Sequence, residues 1–226
     1  MKLQIGSKKG EKMETYKQTD LESLYTPDEG DRPRTDLLAY AKSLLGDVAT
    51  AVELGVAGGT HARLIKKKLR PNKLYLIDAW GLDAEYNELT GEDKSLYVGT
   101  NLDELKRVRD IFSTDIKKER VFVRRERTQI AHSDYPDGYF DFIYIDGDHR
   151  YKACNADIKN WFPKLAKGGV ISGHDYIERP LGNGDTYGVI EAVQEFLQQN
   201  KEKIQEFVLF GAPPIHKSWL IKTRRA

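Results

Sequence analysis

The stretch 52–60, Val-Glu-Leu-Gly-Val-Ala-Gly-Gly-Thr, decides the fold. It sets an acid, Glu53, near the end of an apolar run, three glycines in the turn that follows, and a hydroxyl residue, Thr60, where a helical pattern begins. Gly55, Gly58 and Gly59 allow a sharp turn and a close approach to a ligand with no Cβ in the way. Thr60 is placed to cap the helix, whose free amides favour a negatively charged group. The spacing is not the G-x-G-x-x-G of dinucleotide sites, since Ala57 stands where that pattern needs glycine.

Outward from this turn, apolar runs alternate with amphipathic helical runs. Helical spacing covers 36–45, 60–69, 101–112, 151–165 and 188–199, and strand-like runs cover 49–54, 73–77, 121–124, 140–145 and 169–172. That order predicts βαβ units and a mostly parallel sheet covered on both faces. The runs 207–210 and 219–222, with a turn at 211–214, predict a closing hairpin. The expected fold is therefore α/β, a Rossmann-like doubly wound sheet of seven mostly parallel strands with a C-terminal antiparallel hairpin. Residues 36–226 form the expected domain and 1–35 an amino-terminal arm or cap. The polar insertions 81–100 and 178–187 fall at strand carboxyl ends, the side where such sheets bind ligands, and either is a lid or a plain surface loop.

Composition narrows the function. The 226 residues carry 36 Lys+Arg against 35 Asp+Glu, a formal net charge of +1, so no global field draws the chain to nucleic acid or an anionic membrane. The lysine-rich run 66–73 ends a helical segment, where cations suit the dipole. A single cysteine, Cys154, cannot form an internal disulfide, no apolar run approaches the ~20 residues that span a bilayer, and the polar amino terminus lacks a secretory core. The expectation is a cytoplasmic protein with no nucleic-acid or membrane partner.

A second acid, Asp78, ends the next strand and is suited to accept both hydroxyls of a ribose. Trp80 offers either an aromatic face for adenine or a packing tryptophan. Glu126, Arg127 and Thr128, after the third strand, either meet the far edge of that base or lie in and beside a solvated charge run, Arg-Arg-Glu-Arg at 124–127. At the fourth and fifth strand ends, Asp146, Asp148 and His149 stand beside His174 and Asp175. Strands ~4.8 Å apart let such side chains converge on one ion or one substrate oxygen, and five ionisable groups beside a nucleoside site argue for chemistry. Asp148 alone also reads as a turn residue, and His149 as a helix-start residue bonded to it.

With these residues in view, the chain resembles the class I S-adenosylmethionine-dependent methyltransferases from about residue 36 to its end. Glu53 to Gly59 is similar to their first motif, and Asp78 to their second acid. The blocks at 141–151, 163–176 and 188–189 resemble the small metal-assisted O-methyltransferases that act on sugar hydroxyls. The resemblance implies S-adenosylmethionine held by Glu53, Gly55, Gly58, Gly59, Thr60, Asp78, Trp80, Glu126 and Thr128. It implies a divalent metal, Mg²⁺ first and Mn²⁺ second, on Asp146, His174 and Asp175, with His149 as the base. The imidazole of His174 departs from the commoner acid pair, and His174 either ligates, orients the substrate or takes its proton. The expected partner is a small hydroxylated molecule such as a sugar, its pocket built from the two insertions, the arm and Tyr86, Tyr97, Tyr176 and Tyr187. The arm either covers the site or joins subunits of a homo-oligomer. The competing expectations are a metal-free methyltransferase with a histidine base and a non-catalytic cofactor-binding module.

Overall fold

A computed structural model describes residues 32–82, 101–178, 180, 186–211 and 217–225. The amino-terminal arm before Arg32, Tyr86 and Tyr97, most of both insertions and most of the hairpin turn lie outside the described residues.

Seven strands form one sheet in the order β3-β2-β1-β4-β5-β7-β6. They are β1 (Thr50–Leu54), β2 (Lys73–Asp78), β3 (Val121–Arg125), β4 (Phe140–Ile145), β5 (Leu165–Gly173), β6 (Ile204–Phe210) and β7 (Ser218–Thr223). The pairings from β3 across to β5 are parallel, and β7 runs antiparallel to both β5 and β6. The helices are α1 (Arg32–Leu45), α2 (Thr60–Leu69), α3 (Leu102–Ile111), α4 (Ser113–Lys117), α5 (Thr128–Ala131), α6 (Tyr151–Trp161) and α7 (Val189–Gln199).

The central strands are largely apolar because both faces are covered, and alternate side chains enter different cores. Phe142 and Tyr144 of β4 join Leu37 and Leu38 of α1, Ile65 of α2 and Val108 of α3. Ile143 and Ile145 join Ile158 and Trp161 of α6 and Val193 and Phe196 of α7. The strand order reverses between β1 and β4, whose carboxyl ends therefore bound the crevice in which such sheets bind ligands.

Three boundaries differ from the sequence expectation. Helix α1 starts at Arg32, four residues early, and that extra turn carries Arg34 into the crevice. Helix α6 stops at Trp161, where Pro163 enforces a 3₁₀ turn over Phe162–Lys164, and β5 consequently starts at Leu165. The short α5 was not expected at all. Among the described residues no helix is long and apolar enough to cross a membrane.

Candidate active site

The crevice has two walls. The wall at β1 and β2 is a turn braced by its own backbone. Gly55 has φ +81°, and a Cβ there would stand 2.2 Å from the Asp146 carbonyl oxygen, so the turn lies directly on the exit of β4. The Gly55 amide donates to the Ile77 carbonyl (2.9 Å), and the Asp146 amide to the Leu54 carbonyl (2.7 Å). Asp78 clasps the turn: its Oδ2 accepts from the amides of Val56 (2.7 Å) and Ala57 (2.9 Å), and its Oδ1 from the Trp80 amide (2.9 Å).

Of the residues expected at a cofactor surface, Trp80 braces this frame. Trp80 is 0% exposed and donates its indole N–H to the Ala57 carbonyl (3.0 Å), so it is a packing residue here and presents no face to an adenine. Thr60 does not cap α2; it is the first helical residue, and the cap position belongs to Gly59 at φ +81° without a side-chain bond. Thr128 is buried and donates to Asp157 Oδ1 (2.7 Å). Glu126 is half-buried and accepts from the Arg127 amide (2.9 Å).

The second wall, at β4 and β5, is built of charge. Ile145 pairs with Gly173, so the residues after each leave the sheet side by side. One ligand atom each from Asp146, His149 and Asp175 lie within 4.8 Å of one another. His174, expected as the third member, is not in that set. His174 is buried with Nδ1 3.2 Å from Asp175 Oδ1, and His149 takes the place at the cluster with Nε2 3.0 Å from Asp175 Oδ2. Asp175 holds φ +53°, a left-handed conformation in which a non-glycine residue stores strain, as functional sites often do. Tyr187 stacks on the His149 ring, with centroids 5.0 Å apart and planes at 19°.

Burial and partners set the charge states. Burial disfavours ionised Asp175, yet bonds from His149 and His174 outweigh it and hold the carboxylate well below its usual range. Burial likewise disfavours charged His149, and Asp175 more than offsets that, so the imidazole titrates above its ordinary value. Glu53 is pushed well up, first by burial and then by the charge of Asp146. Its Oε1 lies 3.0 Å from His61 Nδ1, and its Oε2 is buried with no partner among the described residues.

Asp148 is outside the cluster. Its carboxylate accepts from the Arg150 amide (2.9 Å) and grips the Arg150 guanidinium, the work of a turn residue. Tyr176 is buried against Phe207 and does not line an open pocket. Two contributors went unread. Arg34 Nη2 donates to Asp146 Oδ2 (2.6 Å) and its Nε to the Tyr144 hydroxyl (3.2 Å), across more than a hundred residues. No local pattern could have announced Arg34, whereas Tyr144 sat in a recognised strand and was masked by its apolar neighbours.

A family model described as a methyltransferase domain matches residues 52–176, which takes in both walls. The chain belongs to that methyltransferase family. Its sheet order and closing hairpin are those of the class I S-adenosylmethionine-dependent members. Similar solved structures include a candidate methyltransferase, SMU.1697c from Streptococcus mutans, solved with SAH (13% identity, TM-score 0.59, covering 85% of this chain and 98% of that one). They also include the N-methyltransferase NodS from Bradyrhizobium japonicum, solved with S-adenosylhomocysteine (15%, 0.57, 88% and 89%). A third is an rRNA methylase from Streptococcus thermophilus (12%, 0.53, 84% and 93%). No curated protein matches the chain in sequence. At these identities the likeness concerns the fold, which carries amine and RNA methylation alike and so does not select an acceptor.

Proposed function

We propose that this methyltransferase transfers the methyl group of S-adenosylmethionine to a hydroxyl oxygen of a small molecule, a sugar hydroxyl being the acceptor that the resemblance of residues 141–151 and 163–176 favours. The observation that carries the reading is the convergence of Asp146, His149 and Asp175 beside the Gly55 turn. The cofactor lies across that turn, over Gly55, Gly58 and Gly59. The orphaned Oε2 of Glu53 is an acceptor suited to the methionine ammonium, whose charge would offset the cost of burying this carboxylate.

The donor set of two carboxylates and one imidazole fits a divalent cation, with Mg²⁺ or Mn²⁺ suited to the oxygens and the imidazole favouring transition ions. Asp146, Asp175 and His149 would hold it, rather than Asp146, His174 and Asp175. Bound there, the ion would polarise the acceptor oxygen and stabilise its negative charge. The residues contribute position: the two strand ends fix the acceptor against the cofactor turn, and alignment of this kind is worth ~7–11 kcal/mol of a bimolecular barrier.

A second reading is favoured by the 3.0 Å contact between His149 Nε2 and Asp175 Oδ2. In a metal-free site Asp175 orients the imidazole, and His149 Nδ1 takes the acceptor's proton as the carbon–sulfur bond breaks and the carbon–oxygen bond forms. Methyl transfer to a panel of sugars and phenols, assayed with EDTA and with added Mg²⁺ or Mn²⁺, separates the two. Loss in EDTA with recovery on adding metal supports the first. Activity that survives EDTA and vanishes in His149→Ala supports the second. Methylation confined to amines or RNA contradicts O-methylation.

A further inference from the structure

Resting on the metal reading above, we infer that Arg34 is the resident cation of this site: its guanidinium neutralises Asp146 in the metal-free protein and must leave for a divalent ion to bind. The contact is direct, 2.6 Å from Nη2 to Asp146 Oδ2, and a second bond of 3.2 Å to the Tyr144 hydroxyl steers the guanidinium toward that oxygen. Both side chains are largely shielded, with exposures of 22% for Arg34 and 14% for Asp146. Ions in such surroundings are screened far less than at a surface.

The placement of Arg34 runs against local preference. It lies in the first turn of α1, where the helix dipole disfavours a cation and where no acidic residue offsets it. The helix is pinned by Leu37, Leu38 and Ala41, all 0% exposed, so the guanidinium is held at the crevice by the packing of the whole helix. Oδ2 of Asp146 cannot serve the guanidinium fully and a divalent ion at the same time, since the two cations repel across one carboxylate. Arg34 thus sets the metal affinity of the cluster. A residue that merely oriented Asp146 for metal would act in the opposite direction.

That opposition in sign gives the test. Mn²⁺ titrated into the cofactor-free protein, with free Mn²⁺ followed by electron paramagnetic resonance, should bind at least tenfold tighter to Arg34→Met than to the parent. Arg34→Lys, which keeps the charge, should stay within about threefold. Adding Asp175→Asn to Arg34→Met should remove the gain, which locates the ion. Equal or weaker binding by Arg34→Met, with Asp175-dependent binding in the parent, overturns the resident-cation role and leaves the metal reading standing. Absence of Asp175-dependent Mn²⁺ binding in both proteins overturns both. Should Arg34→Met fold poorly, the parent decides by linkage: saturating Mn²⁺ should speed phenylglyoxal labelling of Arg34, mapped by peptide mass spectrometry. Labelling that Mn²⁺ leaves unchanged, while the ion is bound, overturns the inference.

Discussion

The two walls of the crevice are held by different means. At β1 and β2 the Gly55 turn is fixed by backbone amides, which Asp78 gathers, and every bond spans a short stretch of chain or an adjacent strand. At β4 and β5 the frame is made of charged side chains, with Asp175 in a strained conformation and Arg34 reaching from the far end of the sequence. The first wall is a rigid seat, and the second is a set of charges balanced against one another. Substitutions at the seat should therefore cost stability and cofactor affinity, whereas substitutions in the charged cluster should cost turnover.

The largest expected effect sharpens that contrast. Asp175→Asn should lower kcat by at least about 10³-fold, ~4 kcal/mol of transition-state stabilisation, with S-adenosylmethionine affinity held within about threefold by calorimetry. Equal losses in both quantities would erase the distinction. Gly55→Ala should cost about 3 kcal/mol in a denaturant melt and abolish measurable cofactor binding, because the Cβ meets the Asp146 carbonyl and φ is +81°.

On α6, beside Gly147 at the exit of β4, Asp157 is fully buried, and burial pushes its carboxyl from 3.8 up to about 7. Below pH ~4 both folded and unfolded chains carry its proton; above that the unfolded chain loses it first, so this group's contribution to stability falls as pH rises through 7. Asp157→Asn should flatten that decline and gain about 2 kcal/mol at pH 8, half of the ~4 kcal/mol that the full displacement would represent. Melting temperatures from pH 4 to pH 8 check it, and an unchanged slope would contradict it. The smallest effect belongs to Asp148→Ala, which loses a partly exposed pairing with the Arg150 guanidinium and one bond from the Arg150 amide. Stability should change by less than about 1 kcal/mol and kcat by less than twofold, although Asp148 lies between Asp146 and His149 in sequence.

Much of the first wall was legible because its signals are local. A largely buried parallel strand such as Lys73–Asp78 reads from its apolar run Leu74 to Ile77, and a turn that needs positive φ reads as glycine. Residue type alone leaves two uses open. Trp80 and Thr128 suit an adenine pocket, but the core took the indole and the buried carboxyl of Asp157 took the hydroxyl. In the second wall the elements were legible and the partnerships were not. Of the adjacent pair only Asp175 joins Asp146: its left-handed backbone sets His174 against its Oδ1, and His149, entering from a loop, meets its Oδ2. Arg34 and Asp146 are 112 residues apart, and only the folded chain makes them neighbours.

A crystal soaked with Mn²⁺ and S-adenosylhomocysteine, measured for anomalous scattering at the manganese edge, tests the central claim most directly. One peak is expected, bounded by Asp146, His149 and Asp175, with the cofactor sulfur beside it over the Gly55 turn. A bound cofactor whose sulfur lies away from those three residues, or a manganese peak elsewhere with the three left unliganded, would contradict it.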